Sequence, residues 1–303
     1  MDFYFTSVTD NQMIKYLHDN NAYCVLLSYL EKKKIISTLE NEILPTKIFI
    51  DSGAYSAFTK GIKIDIDEYI SFLNKYHSSF DLYASLDVIP NSDSYNDIKY
   101  SVKKSWENYL YMRERVEDSE KLIYTFHLGE PFSQLEEALM YSDEKGKITH
   151  FALGGLVSYK GNSELRSKFI EDCYKTIHRL NRDDIYIHLF GMTDMGVCRQ
   201  WGASSIDSTT WIRAASFGEV CTDYGRIVVS ENRECDNSHI SNLPPPARKD
   251  LEKIISDYGF TLEELSRDSK MRSLFNIKYF YETSKRIDKI NFNIEIETKV
   301  DLW

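Results

Sequence analysis

The sequence has no close pair of cysteines and no apolar run long enough to cross a membrane. Its five cysteines are an odd number, lie far apart and never form a C-x-x-C pair, which argues against a disulfide scaffold and a cysteine-rich zinc site. The longest apolar runs, such as Ala22–Leu27, have the length of a strand. The N-terminus has neither the basic start nor the apolar stretch of a signal peptide. We therefore expect a reduced, cytoplasmic protein that does not enter membranes.

Positive charge is also scarce. The chain holds 37 Lys and Arg against 47 Asp and Glu, a formal net charge of −10. This balance argues against nucleic-acid binding by bulk electrostatics alone. The whole excess of negative charge lies in residues 1–241, because residues 242–303 hold equal numbers of basic and acidic side chains. A locally basic surface remains compatible with a nucleic-acid partner.

Short β-type runs alternate with helical patterns over the first 210 residues. Helical spacing of apolar residues predicts helices over 67–76, 94–116 and 163–180. Eight runs rich in Val, Ile, Phe or Tyr predict strands: Phe3–Val8, Tyr23–Ser28, Lys47–Ile50, Leu82–Val88, Leu122–Leu128, Thr149–Leu153, Ile185–Phe190 and Ala203–Ile206. This alternation predicts an α/β fold, a (β/α)8 TIM-type barrel. The alternative is an open doubly wound sheet, but no G-x-G-x-x-G follows the first strand.

The pattern changes after the eighth predicted strand. Residues 225–230 have the composition of one more strand, and the three prolines of 244–246 then break any regular element. Residues 247–286 predict two or three helices. We therefore expect a catalytic barrel over residues 1–240 and a mainly helical C-terminal extension over 241–303, packed on the barrel.

Polar residues follow several predicted strands. Asp51, Asp87 and Asp207 stand at strand ends, and the fifth strand carries His127 near its end. The C-terminal ends of barrel strands meet at one mouth, where active sites lie. For each aspartate taken singly, the preference of Asp for turns explains the position equally well. Three together are harder to explain in this way, because clustered carboxylates raise one another's pKa values and cost stability.

Three functions fit a barrel mouth lined by carboxylates. Metal-assisted hydrolysis would use His127, His188 and Asp207 as ligands, although the first strand lacks an H-x-H pair and lone histidines are more often core residues. Glycosidic-bond chemistry would use one carboxylate as nucleophile and another as acid and base, without a metal. The third function is nucleic-acid binding or assembly without catalysis.

Five short motifs, in order along residues 51–213, resemble those of the tRNA-guanine transglycosylase family. DSGAYSAF resembles the family's DSGGFQ, and SLDVIPN is similar to its base-recognition aspartate segment. ALGGL is similar to its glycine-glycine-leucine turn, and HLFG resembles the strand before its nucleophile. IDSTTWIR resembles the nucleophile segment, in which an Arg follows the Asp by six residues. In order, the motifs start at Asp51, Ser85, Ala152, His188 and Ile206.

The resemblance implies a base-exchange reaction with Asp207 and Asp51 as catalytic residues. Asp207 would attack C1′ of the target nucleoside, and Asp51 would protonate the leaving base and deprotonate the incoming one. Asp87 would accept hydrogen bonds from N1–H and the exocyclic amine of a guanine-like base. His127 takes the place of the family's glutamine. Tyr55 could stack on the base, but packing in the protein core is an equally good explanation of this residue. The implied base-binding residues are Ser52, Gly53, Tyr55, Asp87, His127, Gly154, Gly155 and Leu156.

The sequence departs from the family at its structural zinc site. After Asp207 only Cys221, Cys235 and His239 are candidate ligands, too few for a closed tetrahedral site. No metal and no cofactor are therefore expected. The short chain without a zinc subdomain most resembles the divergent DNA-modifying relatives of phages and bacterial modification clusters. The expected partners are DNA, with tRNA as the alternative, and a 7-deazaguanine base, while the oligomeric state stays open.

A nucleic-acid surface is expected around the barrel mouth and the C-terminal helices. Arg213 follows the proposed nucleophile by six residues, and it is the residue most directly implied in strand binding. Further basic residues follow the prolines: Arg248, Lys249, Lys253, Lys270 and Arg272. For each of these taken singly, a solvated helix face paired with nearby glutamates is an equally good explanation.

Overall fold

A computed structural model describes residues 1–8, 10–156 and 163–286. The strands are β1 (Asp2–Thr6), β2 (Cys24–Ser28), β3 (Lys47–Asp51), β4 (Leu82–Ala84), β5 (Leu122–His127), β6 (Ser142–Asp143), β7 (Gly146–Lys147), β8 (His150–Gly154), β9 (Tyr186–Leu189), β10 (Ser205–Ser208), β11 (Glu219–Thr222) and β12 (Gly225–Val228). The helices are α1 (Asn11–Asp19), α2 (Lys32–Leu39), α3 (Ala54–Thr59), α4 (Ile66–Tyr76), α5 (Tyr95–Arg115), α6 (Phe132–Met140), α7 (Ser163–Arg179), α8 (Met195–Trp201), α9 (Thr210–Ser216), α10 (Pro245–Asp257), α11 (Leu262–Arg267) and α12 (Ser269–Lys285).

Eight parallel strands close into a barrel in the order β1, β10, β9, β8, β5, β4, β3, β2. The prediction of a (β/α)8 barrel is confirmed, and the alternative of an open sheet is wrong. The hairpins β6–β7 and β11–β12 lie outside the barrel. The run predicted over 225–230 is β12, which pairs antiparallel with β11.

Two apolar layers follow from the alternation of side chains along the barrel strands. Side chains that point inward fill the barrel with a small cluster that includes Tyr4, Phe49 and Ile123. Side chains that point outward pack against the helices in a much larger cluster, to which Leu73, Tyr109 and Ile170 contribute from α4, α5 and α7. Burial of apolar area on both faces of the strands stabilises the barrel.

The fourth predicted strand, Leu82–Val88, is shorter in the structure and ends at Ala84. Beyond this point the backbone is partly held by α5, because the N–H of Val88 donates to the hydroxyl of Ser105 at 2.8 Å. Asp87 therefore lies in an irregular segment tied to α5 rather than at the end of a strand. Its placement at the mouth depends on this helix.

The C-terminal helix α12 packs on α9, β11, β1 and α1. The ring of Phe280 stacks on that of Phe3 with centroids 4.9 Å apart. The fully buried Asn276 accepts the N–H of Cys221 and donates to the carbonyl of Trp211. The helices of the predicted extension thus share a core with the barrel, while its residues 287–303 lie outside the described residues.

The expectation that Arg272 faces nucleic acid is wrong. Arg272 is only 6% exposed. Its guanidinium donates to the carbonyls of Ala215 at 2.9 Å and Leu265 at 2.7 Å. It therefore joins α12 to α9 and α11. Among residues 1–8, 10–156 and 163–286, no helix has both the length and the apolar character needed to span a bilayer.

Candidate active site

A cavity of about 810 Å³ opens at the C-terminal ends of the barrel strands. Segments after β3, β4, β5, β8, β9 and β10 contribute to its walls, so the topology brings together residues that lie far apart in sequence. The site residues predicted from sequence that line it are Asp51, Ser52, Tyr55, Asp87, His127, Gly154, Gly155, Leu156 and Asp207. Gly53 and Arg213 are not on the described cavity wall.

Asp207, on β10, is held through one of its two carboxylate oxygens. The N–H of Gly191 donates to Oδ1 at 2.7 Å, and Nε2 of His188 lies 3.2 Å from the same oxygen. Asp207 is 8% exposed and lines the cavity. Because both contacts engage Oδ1, Oδ2 is the oxygen available to a ligand in the cavity.

His188 is fully buried beneath the cavity. Its Nδ1 lies 2.7 Å from the hydroxyl of Ser205, its direct neighbour in the β9–β10 register. The rings of Tyr4, Phe49 and Phe190 pack edge-on around the imidazole, with centroids 4.5 to 6.1 Å away. These contacts leave the imidazole little freedom, so it fixes the orientation of Asp207.

Asp51 ends β3, where the chain turns into α3. Gly53 has a left-handed φ of +77°, and its N–H donates to Oδ2 of Asp51 at 3.0 Å. A Cβ at this position would lie 2.7 Å from the hydroxyl of Ser28. Gly53 therefore lies behind the carboxylate and orients it, and its contact with a base stays a prediction.

Burial raises the pKa of Asp51, and the negative charges of Asp207 and Asp87 raise it further, to about 7. The hydrogen bond from Gly53 acts in the opposite direction and is outweighed. A carboxyl group with a pKa near 7 exists in both protonation states at neutral pH, which suits a group that gives and takes a proton in one cycle.

Asp87, His127 and Glu130 form a line of charged groups along one wall. Nε2 of His127 lies 3.5 Å from Oδ2 of Asp87, and Nδ1 lies 3.1 Å from Oε1 of Glu130. Burial disfavours the imidazolium, but the two carboxylates outweigh that cost and raise the pKa of His127 to about 10. His127 is therefore a cation at neutral pH, and it leaves Oδ1 of Asp87 free for a ligand.

The turn after β8 requires glycine for two different reasons. A Cβ on Gly154 would lie 2.4 Å from Cδ2 of His127, so the missing side chain makes room for the imidazole, while Gly154 itself lines the cavity. Gly155 has a φ of +75°, which other residues rarely adopt. Leu156, the next residue, is buried and lines the cavity.

Sequence reasoning missed other parts of the wall. The hydroxyl of Thr125 and Oε2 of Glu130 are buried and have no hydrogen-bond partner among the described residues. Both residues line the cavity. Buried polar atoms are nearly always partnered, so these two are available to a bound ligand. Thr125 lies two residues before His127, and strand alternation would have placed it on the same side.

The aromatic and basic residues predicted to bind a substrate occupy different surroundings. Tyr55 is 62% exposed at the cavity mouth, so core packing does not explain it. Arg213 is exposed on α9. Arg248 pairs with Glu252 at 2.8 Å and Lys270 with Asp10 at 3.0 Å, whereas Lys249 and Lys253 are exposed. For Arg248, the ion pair with Glu252 on a solvated helix face is therefore a better explanation than contact with a phosphate.

The three ligands considered for zinc do not converge in the structure. Cys221 is buried, Cys235 is exposed, and His239 engages Ser241 through Nδ1 at 2.7 Å. Within the described ranges, no three His, Cys, Asp or Glu side chains are grouped so that they could hold a metal ion. Both ring nitrogens of His127 and His188 face protein partners, an arrangement that does not favour the metal-dependent hydrolase.

The cavity thus combines a fixed carboxylate, a carboxyl group that titrates near neutrality, and a wall with acceptors and a cation. Comparison with protein-family models and with curated proteins finds no match. The assignment of a function therefore depends on the residues of this cavity and on the motifs to which they belong.

Proposed function

We propose that the protein exchanges guanine in DNA for a 7-deazaguanine base through a covalent intermediate on Asp207. The observation that supports this best is the meeting of Asp51, Asp87 and Asp207 in one cavity, with the pKa of Asp51 raised to about 7. Enzymes that cleave glycosidic bonds commonly use two carboxyl groups in different surroundings, one ionised as the nucleophile and one protonated as the acid.

In the first half-reaction Oδ2 of Asp207 forms a bond to C1′ of the target nucleotide. The C1′–N9 bond breaks, its electron pair passes to the guanine ring, and Asp51 gives the ring a proton. The negative charge of Asp207 stabilises the positive charge that develops at C1′. The hydrogen bonds of Gly191 and His188 to Oδ1 aim the other oxygen and reduce the entropy lost on attack.

The second half-reaction reverses these steps with a different base. The incoming 7-deazaguanine gives its N9 proton to Asp51, N9 attacks C1′, and the bond to Asp207 breaks. Asp51 is again protonated, and Asp207 is again a carboxylate. No proton or electron is lost over the cycle, which agrees with a pKa for Asp51 close to neutral pH.

Base recognition belongs to the wall formed by Asp87 and the glycine turn. The carboxylate of Asp87 would accept from N1–H and the exocyclic amine of guanine, while the backbone N–H groups of Gly155 and Leu156 would donate to O6. His127 holds Asp87 through Oδ2. Tyr55, exposed at the mouth, would close over the face of the base, and the buried Ser52 backs the loop that carries it.

The preference for DNA over tRNA depends on the sequence after Asp207, which does not have the zinc-ligand spacing of the tRNA enzymes. A guanine inside a duplex must leave the stack before its C1′ can reach Asp207. Arg213, exposed on α9, remains the residue predicted from the resemblance to contact a phosphate of that strand.

An exchange assay tests the proposal directly. The purified protein is incubated with radiolabelled guanine and either DNA or tRNA, and the label in the polymer is counted. We expect incorporation into DNA and its competition by 7-deazaguanine bases. Incorporation into tRNA alone would replace DNA by tRNA as the substrate. No incorporation into either polymer, with the protein folded, would contradict the proposed function.

A further inference from the structure

Two exposed aromatic side chains belong to the segments that line the mouth of the active-site cavity. Phe58, at the end of α3, lines the cavity and is 43% exposed. Tyr95, the first residue of α5, is 75% exposed. It lies one helical turn before Ile98, which lines the same cavity. Exposed aromatic groups close to a cavity mouth are costly in water and are typical of binding surfaces.

Three lysines accompany these rings. Lys60 and Lys63 follow Phe58 in the same connection, and Lys99 places Nζ 5.8 Å from the centroid of the Tyr95 ring. All three are exposed, and the structure gives none of them an ion pair with a described residue. Asp65, Asp93 and Asp97 lie in the same segments, so the edge has no net excess of positive charge, but Asp65 caps α4 and Asp97 accepts from Ser92, which leaves the three lysines as unpaired cations among the described residues.

We propose that Phe58, Lys60, Lys63, Tyr95 and Lys99, here called the mouth edge, bind the DNA strand that flanks the target nucleotide. Bases next to the target would stack on Phe58 and Tyr95, and the lysines would contact phosphates. This combination of stacking surfaces and cations tolerates many sequences. The proposal rests on the proposed function for the identity of the target, and it moves the main strand contact from the C-terminal helices to α3 and α5.

Binding of a fluorescent single-stranded DNA of about 15 nucleotides, with one central guanine, tests the stacking surfaces by anisotropy. Phe58→Ala and Tyr95→Ala should each weaken binding roughly 5- to 100-fold, and Tyr95→Phe should restore most of the affinity. Tyr224→Ala is the matched control, because Tyr224 is 64% exposed but lies in the β11–β12 hairpin outside the barrel, and no residue of that hairpin lines the described cavity wall. It should bind as the unaltered protein does.

The lysines are tested by the salt dependence of the same binding. Substituting Lys60, Lys63 and Lys99 by Gln should lower the slope of log affinity against log salt by about 0.7 for each phosphate that no longer meets a lysine. The control carries Lys168→Gln and Lys175→Gln, which remove two charges from α7, where both lysines already pair with acids. Its slope should not change.

The outcomes separate this proposal from the proposed function. If DNA exchange occurs but the Phe58 and Tyr95 variants bind normally, the mouth edge is not the strand site and the exchange function stands. If these variants lose binding while no exchange is detected, the surface stands and the reaction fails. Tighter binding of RNA of the same sequence would overturn the assignment to DNA. A dimer that both Ala substitutions dissociate would assign the edge to a second copy of the chain.

Discussion

Nε2 of His188 lies 3.2 Å from Oδ1 of Asp207 across the adjacent strands β9 and β10. The histidine is fully buried and is fixed on its other side by Ser205. Because the amide of Gly191 binds the same oxygen, the aspartate is held in one orientation before any ligand arrives. His188 therefore orients Asp207 and is not itself on the described cavity wall, so we expect it to act as a positioning residue.

His188→Phe should slow covalent attachment about 10- to 100-fold with little change in DNA affinity, because the variant keeps the ring but removes the hydrogen bond to a charged group. His188→Gln, which retains an N–H donor, should recover part of the rate. Single-turnover kinetics measure the rate of covalent attachment, and fluorescence anisotropy measures the DNA affinity. The control is His178→Phe, which breaks an exposed pair with Asp183. An unchanged attachment rate in His188→Phe would contradict the positioning role.

Asp207→Asn should leave DNA binding intact and lower exchange by several orders of magnitude, because the amide cannot act as nucleophile or stabilise positive charge at C1′. Denaturing the unaltered enzyme during turnover and mapping its peptides by mass should locate an adduct on Asp207. If Asp207 only stabilised the fold, the thermal midpoint and the binding would fall together with the activity. An adduct on a different residue would refute the mechanism.

Exchange should depend on the protonation of Asp51. The first half-reaction needs the protonated form, so kcat/KM for DNA should fall as pH rises above about 7, the pKa of this group. Asp51→Asn should suppress turnover at every pH. A flat profile between about pH 6 and pH 8 would show that Asp51 does not supply the proton, provided that chemistry limits the rate.

The same pKa predicts a cost in stability. The folded state holds the proton of Asp51 more tightly than the unfolded chain, whose aspartate titrates near 3.8. Stability should therefore fall as pH rises from about 4 to about 7, by up to about 4 kcal/mol if the whole shift is expressed. Asp51→Asn should remove this dependence and unfold at a higher temperature than the unaltered protein at about pH 8. Equal midpoints at that pH would contradict the raised pKa.

His127 should remain an imidazolium up to a pKa of about 10. Nitrogen NMR of labelled histidines should show one ring that stays protonated at about pH 8, where ordinary histidines are neutral. Glu130→Gln should lower that pKa, because it removes one of the two carboxylates beside the ring. A titration of His127 near 6.5 would mean that the charged line along the cavity wall does not form.

The eight-strand barrel could be predicted from the sequence because short apolar runs bounded by turns recur with a helix after most of them. Strand ends were less predictable. The segment of Asp87 has the composition of a strand, but its backbone bonds to Ser105 of α5 instead of a neighbouring strand. Such a contact depends on a partner 17 residues away, which local composition does not reveal.

The aspartates of the cavity could be predicted because each stands at or just after the end of a strand-like run in the sequence, but the groups that tune them could not. His188 meets Asp207 only through the register of β9 and β10, and His127 meets Glu130 only through the turn after β5. For Arg272, sequence reasoning predicted a surface residue where the structure has a buried one. Its charge suggested a surface, yet α12 is enclosed on most sides and the guanidinium satisfies buried carbonyls.

The packing of α12 against β1 has a consequence for the order in which the chain folds. β1 bonds to β10, about 200 residues later, and the ring of Phe3 stacks on that of Phe280 in α12. Contacts of such long sequence separation form late and slow the folding reaction. During synthesis, β1 can meet its neighbour β2 early, but it leaves the ribosome long before β10 and α12 exist. A chain truncated before α12 would carry Asp51, Asp87 and the proposed nucleophile Asp207, and it should still be inactive because β1, the neighbour of β10, loses the packing of α12.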